Sequence, residues 1–425
     1  MAALDLLSGD AQTFTEKVWA SRVHLHHTDP ADLVGLLSLD DVDHLLTATA
    51  LRTPALRVVK DGSVLPAAEI TRSASLAGAP LTGLVDSRKV LAHFEAGATV
   101  VLQGLHRYWT PLTDLVRGLE LSLGHPCQAN AYLTPPGSQG FARHSDSHDV
   151  FVFQTHGRKR WEIVEEGHER EVSLEPGLSM YLPTGTPHSA RSQEATSLHV
   201  TIGINRITWR EVMQQVAERA LADERYDAPL PAGYLDDPGM LAGLLGQELA
   251  AFGESLAATD VRATAESRVD GFLTGRVPYL RGGLTDLVAL AGLGDTTRLV
   301  RRPTATCELR PGSDRLRVLL GDRELRMPIR LTETMEFVRD HPAFAVGELA
   351  PWLDPESRLV VARRLVREGL LRIATRARTS GARRPASRPS SRSKGPPPPC
   401  APSSSLRAGG PGGCSRSARG GSAPR

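Results

Sequence analysis

Hydrophobic periodicity changes three times along this chain. Residues 1–125 alternate short helical and extended stretches. Ser38 precedes Leu39-Asp40-Asp41-Val42-Asp43-His44-Leu45-Leu46; it is a predicted N-cap, with acids in the first turn where the helix dipole favours them. Trp109 to Leu123 has apolar residues at helical spacing, and Val100-Val101-Leu102 predicts a strand. From Cys127 to Ile204 the period is two. Strands are expected at Gln128–Leu133, Asp149–Gln154, Arg158–Val164, Leu178–Leu182 and Thr196–Ile204, separated by Pro135-Pro136-Gly137, His156-Gly157, Pro176-Gly177 and the turn Pro183 to Pro187. Many short strands with Gly/Pro turns predict a sandwich or jelly roll, the cupin architecture among them.

Beyond Trp209 the pattern becomes helical. Val212, Val216 and Ala220 recur at i+4, and Leu241, Leu244, Leu245, Leu249 and Phe252 form an apolar stripe suited to dimerisation. A further unit combines strand-like Arg315–Gly321, a helix from Thr332 stopped near Pro342, and a helix capped by Asp354 with Pro355 at its first position, ending at Gly369. Short strands around short helices predict a winged-helix α+β domain. The expected division is 1–208, 209–302, 303–374 and a tail at 375–425.

Charge sharpens that division. The chain of 425 residues carries 50 Lys+Arg and 48 Asp+Glu. From Arg376 onward there are 11 Lys/Arg and no acids, so residues 1–375 hold 39 basic and 48 acidic groups, a net of −9. The Arg/Ser/Pro/Gly-rich tail cannot bury enough apolar surface to offset ordering and is expected to be disordered. Cys127, Cys307, Cys400 and Cys414 form no C-x-x-C pair, so neither a zinc ribbon nor a disulfide framework is indicated. No signal peptide or membrane span is expected, and a reducing cytoplasm is the expected setting.

The candidate chemistry lies in the strand-rich region. His144-Ser145-Asp146 stands just ahead of an apolar strand, and His188 follows Pro187 in the Pro/Gly turn. On an extended segment His144 and Asp146 would share a face, and His188 would reach them across a barrel. Two histidines and one carboxylate with open positions opposite form a non-haem Fe(II) oxygenase site. In Arg158-Lys159-Arg160-Trp161-Glu162-Ile163, alternation groups Lys159 with Trp161 and Ile163, which marks the lysine as inward. An inward lysine needs an anionic partner, and a dicarboxylate co-substrate such as 2-oxoglutarate would supply one. Rival ligands are His148, His156 in a hairpin turn, His168 in a charged loop and His199 in mid-strand; His199 in particular stays open. A zinc hydrolase would use the same ligand types but would leave Lys159 without a task.

At these residues the chain resembles the JmjC-type ribosomal oxygenases of the cupin-4 group. The likeness runs through Asn130-Ala-Tyr132-Leu-Thr-Pro-Pro-Gly-Ser-Gln-Gly-Phe-Ala-Arg-His144-Ser-Asp146, Phe151-Val-Phe-Gln, Gly157-Arg-Lys-Arg-Trp161, Leu182-Pro-Thr-Gly-Thr-Pro-His188 and Ser197-Leu-His-Val-Thr-Ile202. It covers about residues 10–374. The resemblance implies a mainly β JmjC catalytic domain (double-stranded β-helix), a helical dimerisation region and a winged helix. It also implies an Fe(II)- and 2-oxoglutarate-dependent dioxygenase that hydroxylates a histidine or arginine of a ribosomal protein as a homodimer. His144, Asp146 and His188 match the iron triad, Lys159 the residue pairing with the distal carboxylate, and Asn130 and Tyr132 positions lining the co-substrate pocket. No catalytic residue beyond the triad is implied. Ser145 departs from the usual aromatic or apolar residue, and the tail is foreign to the family. Two other readings stand beside this one: the same chemistry on a small molecule or natural-product peptide, and a nucleic-acid-binding regulator using the winged helix, its Arg358, Arg363, Arg364 and Arg367, and the basic tail.

Overall fold

The computed structural model describes residues 2–138, 142–192 and 195–374. The basic tail and its expected disorder lie outside the described residues.

Up to Ile204 the chain forms the strands β1 (His24–His27), β2 (Leu56–Lys60), β3 (Ser63–Val64), β4 (Thr71–Leu76), β5 (Ala79–Val85), β6 (Thr99–Leu102), β7 (Cys127–Thr134), β8 (Asp149–His156), β9 (Lys159–Glu165), β10 (His168–Leu174), β11 (Leu178–Leu182), β12 (His188–Ser192) and β13 (Ser197–Ile204). An antiparallel sheet runs β1-β11-β8-β13-β7-β6-β2-β3, and a smaller one runs β10-β9-β12. This is the cupin-type architecture that the turn pattern predicts.

β8 shows why the sequence there is a continuous apolar run. It is a central strand buried on both faces, so alternation between polar and apolar residues is lost. Phe151 and Phe153 join the core with Phe14 and Tyr181. Val150 and Val152 pack in a separate cluster with Trp161 and Ile163 of β9 and Val172 and Leu174 of β10. The hairpin from β8 to β9 turns at Gly157, where φ is +65° and a Cβ would lie 2.0 Å from the Thr196 carbonyl oxygen; only glycine fits there.

Two strands of the small sheet escape the periodicity. His168, expected in a loop, opens β10, whose outer residues are charged and exposed and whose inward residues are Val172 and Leu174. β12 is His-Ser-Ala-Arg-Ser, too polar to be read as a strand, and it is held by its pairing with β9.

The expected helices form with their caps. At Leu39–Thr47 the Asp41 N–H donates to Ser38 Oγ (3.1 Å), and the Ser38 N–H donates to Asp41 Oδ2 (2.8 Å). The helix Thr110–Leu123 buries Leu112, Leu115, Val116 and Leu119. After β13 come helices at Trp209–Ala220, Pro238–Ala257 and Val261–Thr274, none with a buried residue, so Leu244, Leu245 and Leu249 stand exposed. The last part has its own core, including Leu299, Met335, Phe344 and Leu365. Two three-stranded sheets and the helices Thr332–Asp340 and Pro355–Arg367 surround it. Buried Glu120 ties these parts together: it accepts the Cys127 N–H and pairs with Arg276, whose own N–H donates to the Gly321 carbonyl.

Ser38→Ala should lower stability in urea by about 1 kcal/mol, the usual worth of an N-cap. Phe151→Ala should lower it by about 3–5 kcal/mol through the cavity it leaves.

Candidate metal centre

His144 and His188 are immediate neighbours. The His144 N–H donates to the His188 carbonyl (3.0 Å) and the His188 N–H to the His144 carbonyl (2.8 Å). The Gly185 N–H donates to the Asp146 carbonyl at 3.0 Å, which continues the ribbon. The expectation that His188 reaches the site across a barrel is therefore corrected. Residues 144–146 do not form a strand either: His144 makes an isolated bridge with His188 and Asp146 lies in irregular chain. The two ligands share a face because that ribbon is pinned to the segment carrying the third.

Among the described residues, His144, Asp146 and His188 form a cluster whose ligand atoms all lie within 4.8 Å of one another. His144 Nε2 is 3.8 Å from Asp146 Oδ1, and His188 Nε2 is 3.7 Å from Asp146 Oδ2. His144 Nδ1 lies 2.8 Å from the Ala142 carbonyl and His188 Nδ1 lies 2.9 Å from that of Thr186. Carbonyl oxygens only accept, so each Nδ1 carries the proton and each Nε2 presents a lone pair toward the carboxylate. Such outer bonds fix the tautomer and aim of metal-binding histidines. Burial holds the His188 imidazole below its usual pKa, which favours the neutral, ligating form.

Asp149 positions this ribbon, and its role was not read from the sequence. It is fully buried, and its Oδ1 accepts the Thr184 N–H (2.7 Å) and hydroxyl (2.6 Å) while its Oδ2 accepts the Tyr181 hydroxyl (2.6 Å). Arg206 Nε lies 3.4 Å away. The turn leading to His188 is thus bolted to the first residue of β8. The available signal was an acid opening an otherwise apolar strand.

A cavity of about 280 Å³ opens beside the triad, lined by all three residues together with Lys159, Trp161, Tyr132, His199 and Arg57. Lys159 is buried as alternation predicts, and its Nζ donates to Thr134 Oγ1 at 3.2 Å. Desolvation pulls its pKa down to about 7. Tyr132 lines this cavity, and Arg57 and Thr201 both hydrogen-bond its hydroxyl. Asn130 lies instead on an adjoining cavity of about 680 Å³, which shares Arg57, Tyr132 and Asp146 with the first, and its Oδ1 accepts the Gly104 N–H. Asn130 and Tyr132 are two apart on β7, so both side chains leave the same face of the strand, and Tyr132 lines both cavities. Of the rival ligands, His199 reaches the cavity but stacks on Tyr132 (4.9 Å, 4°) and lies outside the ligand cluster. His148 faces the adjoining cavity.

Residues 110–172 and 164–212 match the model of the JmjC domain family. Over 165 residues the chain is 35% identical to a bifunctional lysine-specific demethylase and histidyl-hydroxylase NO66 of Branchiostoma floridae, covering 37% of this chain and 27% of that protein. Over 248 residues it is 29% identical to ribosomal oxygenase 2 of Bos taurus, covering 51% of this chain and 54% of that one. The chain thus spans no more than about half the length of these curated relatives. Among solved structures it is similar to YcfD, a ribosomal oxygenase from Escherichia coli in complex with cobalt and 2-oxoglutarate. That likeness has a TM-score of 0.51 at 18% identity, covers 87% of this chain and 99% of that one, and is a likeness of fold.

Lys159 sets a pH dependence. Its pKa falls from 10.5 to about 7 on burial, so between those values the unfolded chain holds the extra proton and stability rises with pH. The ligand-free protein should gain stability from pH 7 to pH 9.5 relative to Lys159→Met. Urea midpoints across that range check this, and a flat or falling difference contradicts it.

Proposed function

We propose that this chain, whose residues 110–212 carry a JmjC domain, is an Fe(II)- and 2-oxoglutarate-dependent dioxygenase acting on a protein side chain. The observation that carries the reading is the joining, in one cavity, of two Nδ1-anchored imidazoles and a carboxylate with a buried lysine. Three protein ligands of this type suit a redox iron with open positions. His144, Asp146 and His188 would hold the metal through Nε2, a carboxylate oxygen and Nε2. The buried ammonium of Lys159 would pair with the distal carboxylate of 2-oxoglutarate, which answers the cost of a lone charge inside the sheets. Bound iron supplies dioxygen activation coupled to oxidative decarboxylation of the oxo-acid. The protein's share is to orient the ligands, fix both tautomers and line the cavity with Trp161, Val150 and Leu182 against water.

The substrate reading rests on the relatives, whose names refer to histidyl hydroxylation and to the ribosome. A histidine or arginine of a ribosomal protein, reached in the cytoplasm, is the substrate we infer for this chain. The adjoining cavity of about 680 Å³ gives a side chain an approach past Asp146. We further infer a homodimer through the exposed leucines of Pro238–Ala257, and a winged helix in residues 303–374. Nucleic acid is a weaker fit, because Arg358 pairs with Asp295 and Arg364 with Glu368. Among the described residues no helix is long and apolar enough to cross a membrane.

Succinate release from 2-oxoglutarate with Fe(II) under air tests the chemistry, with a ribosomal extract added as substrate. Wild type should turn over, His144→Ala should lose activity by at least 100-fold, the loss typical of removing a group central to catalysis, and Lys159→Ala should need more 2-oxoglutarate. Absence of turnover in wild type would defeat the reading.

A further inference from the structure

The adjoining cavity does not end beside Asp146. His106, Arg107, Tyr108 and Gln128 line it and also line a third cavity of about 810 Å³. The other walls of that third space come from the helices Thr110–Leu123 and Val261–Thr274 and from residues 275–279. A groove therefore runs from the candidate metal centre, past β7, to the helical part of the chain. Pockets for whole small molecules hold about 300–1,000 Å³, so two cavities of this size in series suit a stretch of chain rather than one side chain.

The charge along this groove is mostly of one sign. Arg107, Arg117, Arg268 and Arg276 line the third cavity against Glu120 and Glu211. Glu120 is taken by Arg276 and by the Cys127 N–H, and Glu211 stands in the first turn of its helix, where the helix dipole favours an acid. Arg117 donates to the Val277 carbonyl and lies over the Tyr279 ring. The side chains of Arg107 and Arg268 make no hydrogen bond or ion pair among the described residues. The adjoining cavity adds Arg57, and its one carboxylate is the candidate ligand Asp146. His106 contributes a further donor. Burial keeps its ring neutral, and the Ala129 N–H donates to its Nδ1 (3.1 Å), so the ring proton is on Nε2. Residues 1–375 hold 39 basic and 48 acidic groups, which makes the groove a cationic exception on an acidic protein. A cleft lined by one sign of charge concentrates its field on groups of the opposite sign.

We propose that this groove docks an acidic flank of the protein substrate: an extended segment whose reacting residue enters beside Asp146 and whose Asp or Glu meets Arg107 and Arg268. The proposal rests on the protein-hydroxylase reading above and adds to it the chemistry of the segment around the reacting residue. A carboxylate fits better than a nucleic acid, whose affinity needs many phosphates neutralised; the third cavity offers two unpaired arginines on a protein of net negative charge.

Selection from peptide libraries tests this. The full chain loaded with Mn(II) and 2-oxoglutarate is exposed to peptides with a central histidine or arginine and randomised flanks, and the retained peptides are sequenced. Asp and Glu should be enriched about two- to fivefold on one flank, the worth of one partly exposed ion pair. Arg107→Glu and Arg268→Glu should each turn that preference toward Lys and Arg, a reversal that a misfolded protein cannot produce. An acidic preference that survives both charge reversals overturns the groove. Binding of a labelled oligouridylate to wild type that is lost in Arg268→Glu would assign these arginines to nucleic acid and overturn it as well. Succinate release by the wild type separates the two readings. Turnover of 2-oxoglutarate with flat flanks overturns the groove alone, and acidic enrichment without turnover defeats the hydroxylase and leaves the groove standing as a binding surface.

Discussion

The site depends on one short pairing, the two backbone hydrogen bonds that join His144 to His188. Without them, His144 and Asp146 sit on irregular chain with no strand geometry to aim them. With them, three ligating groups stand within 4.8 Å. The pairing is itself held at both ends. Arg143 pairs with Glu169 of β10 on one side, and Asp149 fixes the turn before His188 on the other. Each histidine then gives its Nδ1 proton to a carbonyl two residues before it. Backbone that forms no strand of its own is thereby held as a ribbon that carries the candidate ligands, in the way functional sites are supported by fixed surroundings.

Burying charge is the second constraint. Lys159 Nζ donates to the Thr134 hydroxyl, and Trp161 and His199, which line the same cavity, each hold a buried ring nitrogen without a hydrogen-bond partner in the protein. A core built for stability alone would place apolar residues here. The fold tolerates the cost because β8 and its neighbours bury large side chains on both faces.

Much of this was legible in the residues. His144, Asp146, His188 and Lys159 are chemically distinctive, and the alternation around Trp161 set the direction of Lys159 correctly. The strands β7, β8, β11 and β13 follow from apolar runs between Gly/Pro turns. What was not legible depends on contacts distant in sequence. β10 and β12 are polar because one face meets solvent, so pairing with β9 rather than composition makes them strands. Asp149 looked like a strand-opening acid, and only its long-range contacts with Tyr181, Thr184 and Arg206 reveal its work. β7 borders two adjoining cavities, with Tyr132 lining both and Asn130 the larger, a division that depends on neighbouring strands rather than on periodicity.

The most direct test of the central claim is titration of the protein with Co(II), followed by its visible absorption. The account predicts one tightly bound ion per chain, a spectrum that changes when 2-oxoglutarate is added, and loss of both in His188→Ala and Asp146→Ala. Binding that survives in those variants, or no binding in wild type, would contradict it.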